Sequence, residues 1–234
     1  MSTGILYLIP VPLGNGEISS ILPDSVRRRA LELDYFVVEH PKAARKFLKQ
    51  AGCTRLQDIR MSVLDEHTPA SEIESLLEPL LSGSDGGLLS EAGCPGVADP
   101  GADLVRLAYK KNIRVVPLVG PSAILLALMA SGLNGQQFAF HGYLPVDRSA
   151  LVQKLLELEK ESQAHDQTQI FIETPYRNQK LLACILSICR DNTLLSVSSD
   201  LTTADEFICT KTVSEWRHNL PNLDSKPSVF LLHA

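Results

Sequence analysis

Leu89-Ser90-Glu91-Ala92-Gly93-Cys94-Pro95-Gly96-Val97-Ala98-Asp99-Pro100-Gly101 is the stretch on which the fold turns. It follows the short apolar run Gly87–Ser90. It precedes an amphipathic segment, Pro100–Lys111, in which Leu104, Leu107 and Ala108 share one face. The reading is strand, constrained loop, helix. Three glycines and two prolines within thirteen residues impose an unusual backbone path. Asp99 is placed to cap the following helix, with Pro100 at its first position. In an open α/β sheet, ligands bind just beyond the carboxyl ends of the strands, and small residues there let a ligand approach the main chain.

Working outward, apolar runs alternate with amphipathic stretches. Ile5–Val11, Tyr35–Glu39 and Ile113–Val119 read as buried strands; Pro23–Leu33 and Pro41–Ala51 read as helices, the second stopped by Gly52. That alternation predicts a mostly parallel sheet with helices on both faces. Farther on, Phe138–Gly142, Gln169–Glu173, Leu194–Ser199, Phe207–Val213 and Ser228–His233 read as strands, with helices over Pro121–Ser131, Arg148–Gln163 and Tyr176–Arg190. The last three strands follow one another closely, which predicts a mixed sheet with antiparallel pairs. The expectation is an α/β protein of two domains, residues 1–117 and 118–234. The polar stretch Glu161–Gln167 reads as a loop.

Bulk properties set outer bounds. The chain has 234 residues, 44% hydrophobic and 21% charged, with a formal net charge of −5. Divided after Pro117, the parts carry −2 and −3, so neither offers a broad basic surface. A local basic cluster, Lys42, Arg45, Lys46 and Lys49, falls on one helical face and reads as a solvated face or a nucleic-acid contact. No apolar run has the roughly 18 residues of a membrane span, and the N-terminus lacks the pattern of a signal peptide. Five cysteines without a C-x-x-C pair exclude a zinc or disulfide framework and fit a reducing, cytoplasmic setting.

Three further segments carry possible chemistry. Pro117-Leu118-Val119-Gly120-Pro121-Ser122-Ala123 runs from strand into helix, where free N–H groups and small side chains leave room for a carboxylate or ribose. Pro10-Val11-Pro12-Leu13-Gly14-Asn15-Gly16 ends the first strand. Its Gly14-x-Gly16, with Glu39 closing the next strand, resembles a dinucleotide loop, but Ser19 stands where the third glycine belongs and two prolines disturb the turn. Ile172-Glu173-Thr174-Pro175-Tyr176-Arg177-Asn178 ends a buried strand in a carboxylate that either meets a ligand or pairs with Arg177. His40, His67 and His141 have no partner at metal-ligand spacing, so no metal is expected.

In this order the segments resemble the tetrapyrrole-methylase superfamily, and most closely its small-subunit ribosomal RNA cytidine 2′-O-methyltransferase branch. The likeness runs from Leu6–Asn15 through Ser90–Gly101, Val115–Ala123, Gly142-Tyr143-Leu144-Pro145 and Glu173–Arg177 to Leu201-Thr202-Thr203. It implies an enzyme that uses S-adenosyl-L-methionine, held in a cleft between the two domains. The cofactor would touch Pro12, Gly14, Ser90, Glu91, Ala92, Gly93, Val97, Pro121, Ser122, Ala123, Tyr143 and Pro175. It also implies a homodimer acting on ribosomal RNA. The branch carries a glutamate-aspartate-threonine-arginine run where this chain has Glu39-His40-Pro41-Lys42, and commonly a lysine where this chain has Thr203.

Methyl transfer from a sulfonium is an in-line displacement, and a ribose hydroxyl is a poor nucleophile that needs a base or a nearby cation. Glu91 and Asp99, then Glu39 and Arg177, are the candidate catalytic residues. The alternatives are a methyltransferase for a tetrapyrrole or other small molecule, and a protein that binds the cofactor without turnover.

Overall fold

Period-two alternation in the apolar runs sends side chains to two separate cores. The computed structural model describes residues 3–234. The first strands are β1 (Ile5–Ile9), β2 (Tyr35–Val38), β3 (Arg60–Val63), β4 (Gly86–Leu89) and β5 (Arg114–Pro117). They form one parallel sheet in the order β3-β2-β4-β1-β5. Between them lie α1 (Ile18–Ile21), α2 (Asp24–Glu32), α3 (Pro41–Ala51), α4 (Ala70–Ile73), α5 (Glu78–Leu81) and α6 (Gly101–Lys110). Tyr7, Ile9, Phe36, Val38 and Leu89 pack with Val26 and Ala30 of α2 and with Ala44, Phe47 and Leu48 of α3. Leu6, Tyr35, Val37 and Leu88 point the other way, into a core with Leu77, Leu80, Leu104 and Ala108. Burial on both faces is why these strands read as continuous apolar runs.

One strand escapes a sequence reading. β3 is an edge strand whose residues are half-buried or exposed, and Arg60 and Ser62 break the apolar pattern. Backbone pairing to β2, which runs from Tyr35 opposite Arg60 to Val38 opposite Val63, makes it a strand.

The second sheet has the order β6-β7-β10-β8-β9. It contains β6 (Phe138–Tyr143), β7 (Thr168–Glu173), β8 (Leu194–Ser199), β9 (Phe207–Thr212) and β10 (Ser228–His233). β6 and β7 are parallel; β10 pairs antiparallel with both β7 and β8, and β9 pairs antiparallel with β8, as the closely spaced strands predict. Helices α8 (Arg148–His165), α9 (Asn178–Ile188) and α10 (Val213–Trp216) enclose a core around Leu155, Leu158, Phe171, Leu182, Ile185, Trp216 and Phe230. α7 (Ala123–Ser131) packs on β8, β9 and β10. Of the polar stretch Glu161–Gln167, only Asp166 and Gln167 lie outside the helix. α8 continues to His165 because Ser162 is buried and accepts a hydrogen bond from the Ala234 N–H, and Asp166 then ends the helix in left-handed backbone. By contact, the chain divides into two compact units, one ending at Ser122 and the other spanning Ala123–Ala234.

Candidate active site

Within the first unit, strand order concentrates the loops. The connection leaving β1 runs toward β2, and the one leaving β4 runs the opposite way toward β5, although β1 and β4 are neighbours. The two connections pass on opposite faces of the sheet, α2 in one core and α6 in the other, and such a reversal opens a crevice at the carboxyl ends of the strands. Pro10–Gly14, Ser90–Gly101 and Leu118–Ser122 all leave strands at that end.

Specific bonds tie these turns together. Val11 and Gly93 exchange both backbone hydrogen bonds, Val11 N to Gly93 O at 2.9 Å and Gly93 N to Val11 O at 3.1 Å. The Ser90 hydroxyl, buried, donates to Gly93 O at 2.8 Å. The Cys94 thiol donates to Pro121 O at 3.3 Å. Gly93 has a φ of +74°, and a Cβ there would stand 3.1 Å from Leu13 and 3.4 Å from Pro121 O. At Gly120 a Cβ would lie 2.3 Å from Pro10 Cβ, so only glycine lets the ends of β1 and β5 meet.

Asp99 holds the long loop from inside. Its Oδ1 accepts from Gly96 N at 3.2 Å and from Gly101 N at 2.9 Å, the second at the start of α6. α6 begins at Gly101 with Pro100 in the N-cap position, one residue later than read from the sequence, and Asp99 holds the N–H of its first residue. Ala98 beside it takes a φ of 55°, a conformation uncommon for a residue with a side chain. Thus Ser90 and Asp99 shape the loop, while Glu91, Ala92 and Val97 present exposed surface on it, as Gly14 does on the turn after β1. Pro12 and Ser122 are half-buried at its edges, and Pro121 is buried.

The carboxylates converge with a residue the sequence reading set aside. Val38 pairs with Leu89, so the second residues beyond each strand, His40 and Glu91, become neighbours. His40 Nδ1 lies 2.8 Å from Glu91 Oε1. His40 therefore has a partner, contrary to expectation; spacing conceals it because the two residues lie on different loops. Equal offset from paired strand ends was the signal that could have revealed it. Glu39 joins them: one ligand atom from each of Glu39, His40 and Glu91 falls within 4.8 Å of the others. Burial raises the Glu39 carboxyl above its usual value, and the negative charges of Glu91 and Asp99 push it further. The group offers carboxylates, and an imidazole one of them orients.

The second unit places its own candidates at one end of its sheet. Tyr143 closes β6 after Gly142, whose φ is +64°, and lies opposite Ile172 of β7 across a register shift. Tyr143 is 61% exposed. Pro175 follows β7, and Ala123 opens α7. Glu173 is almost fully buried and bonded: Oε2 lies 2.8 Å from Arg177 Nη2, and Oε1 accepts from Thr174 N at 2.7 Å. Arg177 is thus half of an ion pair. A shallow hollow of about 530 Å³ lies elsewhere, on the β5 edge between Tyr7, Arg29, Arg114 and Leu118.

No family model matches the chain. It is 32% identical to the ribosomal RNA small subunit methyltransferase I of Vibrio cholerae, an alignment covering 98% of this chain and 77% of that protein. The Haemophilus influenzae protein of the same name is also 32% identical, with 99% and 79% covered. The Escherichia coli O157:H7 protein is 33% identical, with 88% and 68% covered. Among solved structures, the methyltransferase CobJ aligns with a TM-score of 0.67 at 17% identity, covering 99% of this chain and 94% of that one. The uroporphyrin-III-C-methyltransferase of Thermus thermophilus aligns with a TM-score of 0.57 at 17% identity, covering 98% and 92%. These two share the fold. On its likeness to the curated relatives, the chain belongs to the ribosomal RNA small subunit methyltransferase I family.

Proposed function

We propose that this protein transfers a methyl group from S-adenosylmethionine to ribosomal RNA of the small subunit, at a ribose 2′-hydroxyl. The observation that carries the reading is the joining of three turns, after β1, β4 and β5, by the Val11–Gly93 exchange and the Cys94–Pro121 contact. The residues fit the cofactor. Close backbone approach at Gly93, small side chains at Ala92 and Ser122, and the exposed apolar side chain of Val97 suit a folded nucleoside. Pro12, Gly14, Ser90–Gly93, Val97, Pro121 and Ser122 would hold it. When bound, S-adenosylmethionine supplies an electrophilic methyl group on a sulfonium.

The chain's own residues must orient the hydroxyl, take up its proton and exclude water. His40, held through Nδ1 by Glu91, has its other ring nitrogen to accept that proton. Glu39 stands beside them, its carboxylate within reach of both His40 and Glu91. Asp99 keeps the loop in shape through its two backbone bonds. Arg177 is assigned to fixing the turn after β7 through Glu173.

Two further expectations complete the reading. The protein acts as a homodimer, which the largely exposed apolar side chains of Met129 and Val146 support. It works in the cytoplasm; among the described residues no helix is long and apolar enough to cross a membrane, and no disulfide forms. The test of the activity is incubation with labelled cofactor and small ribosomal subunits, followed by nuclease digestion. A ribose-methylated nucleoside carrying the label is expected. No label in RNA at any salt concentration, or label only in an added tetrapyrrole, overturns the reading.

A further inference from the structure

Helix α3 has two unlike faces. Ala44, Phe47, Leu48 and Ala51 are buried in the first core. Lys42, Arg45, Lys46 and Lys49 are all exposed and recur at i, i+3, i+4 and i+7, which puts them in one stripe. No acidic residue lies between Pro41 and Ala51. Among the described residues, none of the four is in an ion pair, whereas Arg27, Arg29, Arg55, Lys111, Arg190 and Arg217 each have a carboxylate partner. A row of uncompensated cations on a chain of net charge −5 is a local feature, not a consequence of composition.

The position of the stripe gives it a direction. α3 starts directly after Glu39 and His40, at the carboxyl end of β2. Lys46 Nζ donates to Asn15 Oδ1 at 2.9 Å, which ties the stripe to the loop after β1. The stripe therefore begins next to Glu39 and His40 and is joined to the loop after β1. From Lys42 to Lys49 it extends about 10 Å along the helix.

We infer that this face of α3 docks the phosphate backbone of the RNA substrate and feeds the target nucleotide toward His40 and Glu91. The inference rests on the RNA-methyltransferase reading given above. Side chains on a regular stripe recognise repeating negative charge without reading bases, so α3 supplies affinity and the loops supply selection.

The experiment compares wild-type protein with the triple variant Lys42→Gln, Arg45→Gln, Lys49→Gln, and with a control, Lys110→Gln, Lys160→Gln, Lys180→Gln, that removes equal charge from exposed positions elsewhere. Lys46 stays because it holds Asn15. Binding to small-subunit ribosomal RNA is measured across a salt series, S-adenosylmethionine binding by calorimetry, and methyl transfer with labelled cofactor. Expected for the α3 variant are RNA affinity lower by roughly tenfold, a plot of log affinity against log salt shallower by about 2, and unchanged cofactor affinity. The control should follow wild type in all three. Wild-type methylation of RNA with an α3 variant equal to wild type or to the control overturns the docking surface and leaves the proposed function standing. Wild-type protein that neither binds nor methylates the RNA overturns both; methylation of RNA together with equal, α3-dependent binding to anionic lipid vesicles overturns the docking surface alone.

Discussion

His40 Nδ1 and Glu91 Oε1 face each other at 2.8 Å because the residues sit at equal distance past the paired ends of β2 and β4. The carboxylate fixes the ring through one nitrogen and leaves the other for proton transfer. His40→Ala is expected to lower kcat by about 10²- to 10⁴-fold with little change in the KM for RNA. Glu91→Gln should lower kcat less, because the ring loses its orienting charge but remains. Steady-state kinetics on ribosomal RNA checks this; a His40→Ala enzyme with wild-type kcat rejects the role.

Glu39 makes a pH-dependent contribution to stability. Its folded pKa is raised from the ordinary 4.5, first by burial and then by Glu91 and Asp99. The folded protein therefore holds that proton more tightly than the unfolded chain. The resulting stabilisation is fully present below the ordinary carboxylate value and is lost as pH rises through the raised one. Glu39→Gln has no such loss. Its Tm should exceed that of wild type at neutral pH, with the gap closing toward about pH 4. Thermal melts across that range test the sign.

Gly120 marks a contact that no side chain can share. A Cβ would fall 2.3 Å from Pro10 Cβ and 3.1 Å from Leu22, so Gly120→Ala must push apart the chain ends leaving β1 and β5. A cost of about 1–3 kcal/mol is expected, together with weaker S-adenosylmethionine binding, since both displaced segments border the proposed cofactor site. Denaturant titration and calorimetry report the two effects separately.

Glu173 and Arg177 bury an ion pair whose carboxylate side chain is 2% exposed and whose guanidinium is 26% exposed. Removing only the cation leaves a buried charge. Arg177→Ala should cost about 3 kcal/mol, the lower end for a broken buried pair, because water reaches the arginine side. Adding Glu173→Gln should recover part of that loss, as a neutral amide keeps a hydrogen-bonding oxygen without the charge. A double-mutant cycle in denaturant measures the coupling; additive losses would show that the pair is not energetically linked.

Much of this architecture is legible in local pattern. Pro41–Ala51, Leu194–Ser199 and Ser228–His233 have the predicted bounds, because Pro41 and Gly52 punctuate the helix and polar turn residues or a proline bound the two short, largely buried strands. β3 is not legible, since an edge strand with half-exposed residues needs no apolar run. The end of α8 is hidden for a related reason: the helix runs two residues past the predicted Gln163, to His165, where the buried Ser162 accepts a hydrogen bond from a residue 72 positions away.

By itself, the order of residues determined the alternation of strand and helix, the parallel and mixed character of the two sheets, the constrained loop after β4 and the family likeness. These follow from periodicity, turn chemistry and short motifs, all of which act over a few residues. The tertiary structure alone decided that His40 meets Glu91, that Gly93 locks onto Val11 and that Arg177 is spent on Glu173. Such pairings depend on strand order and register, and a register is set by the packing of whole faces, which no window along the chain contains.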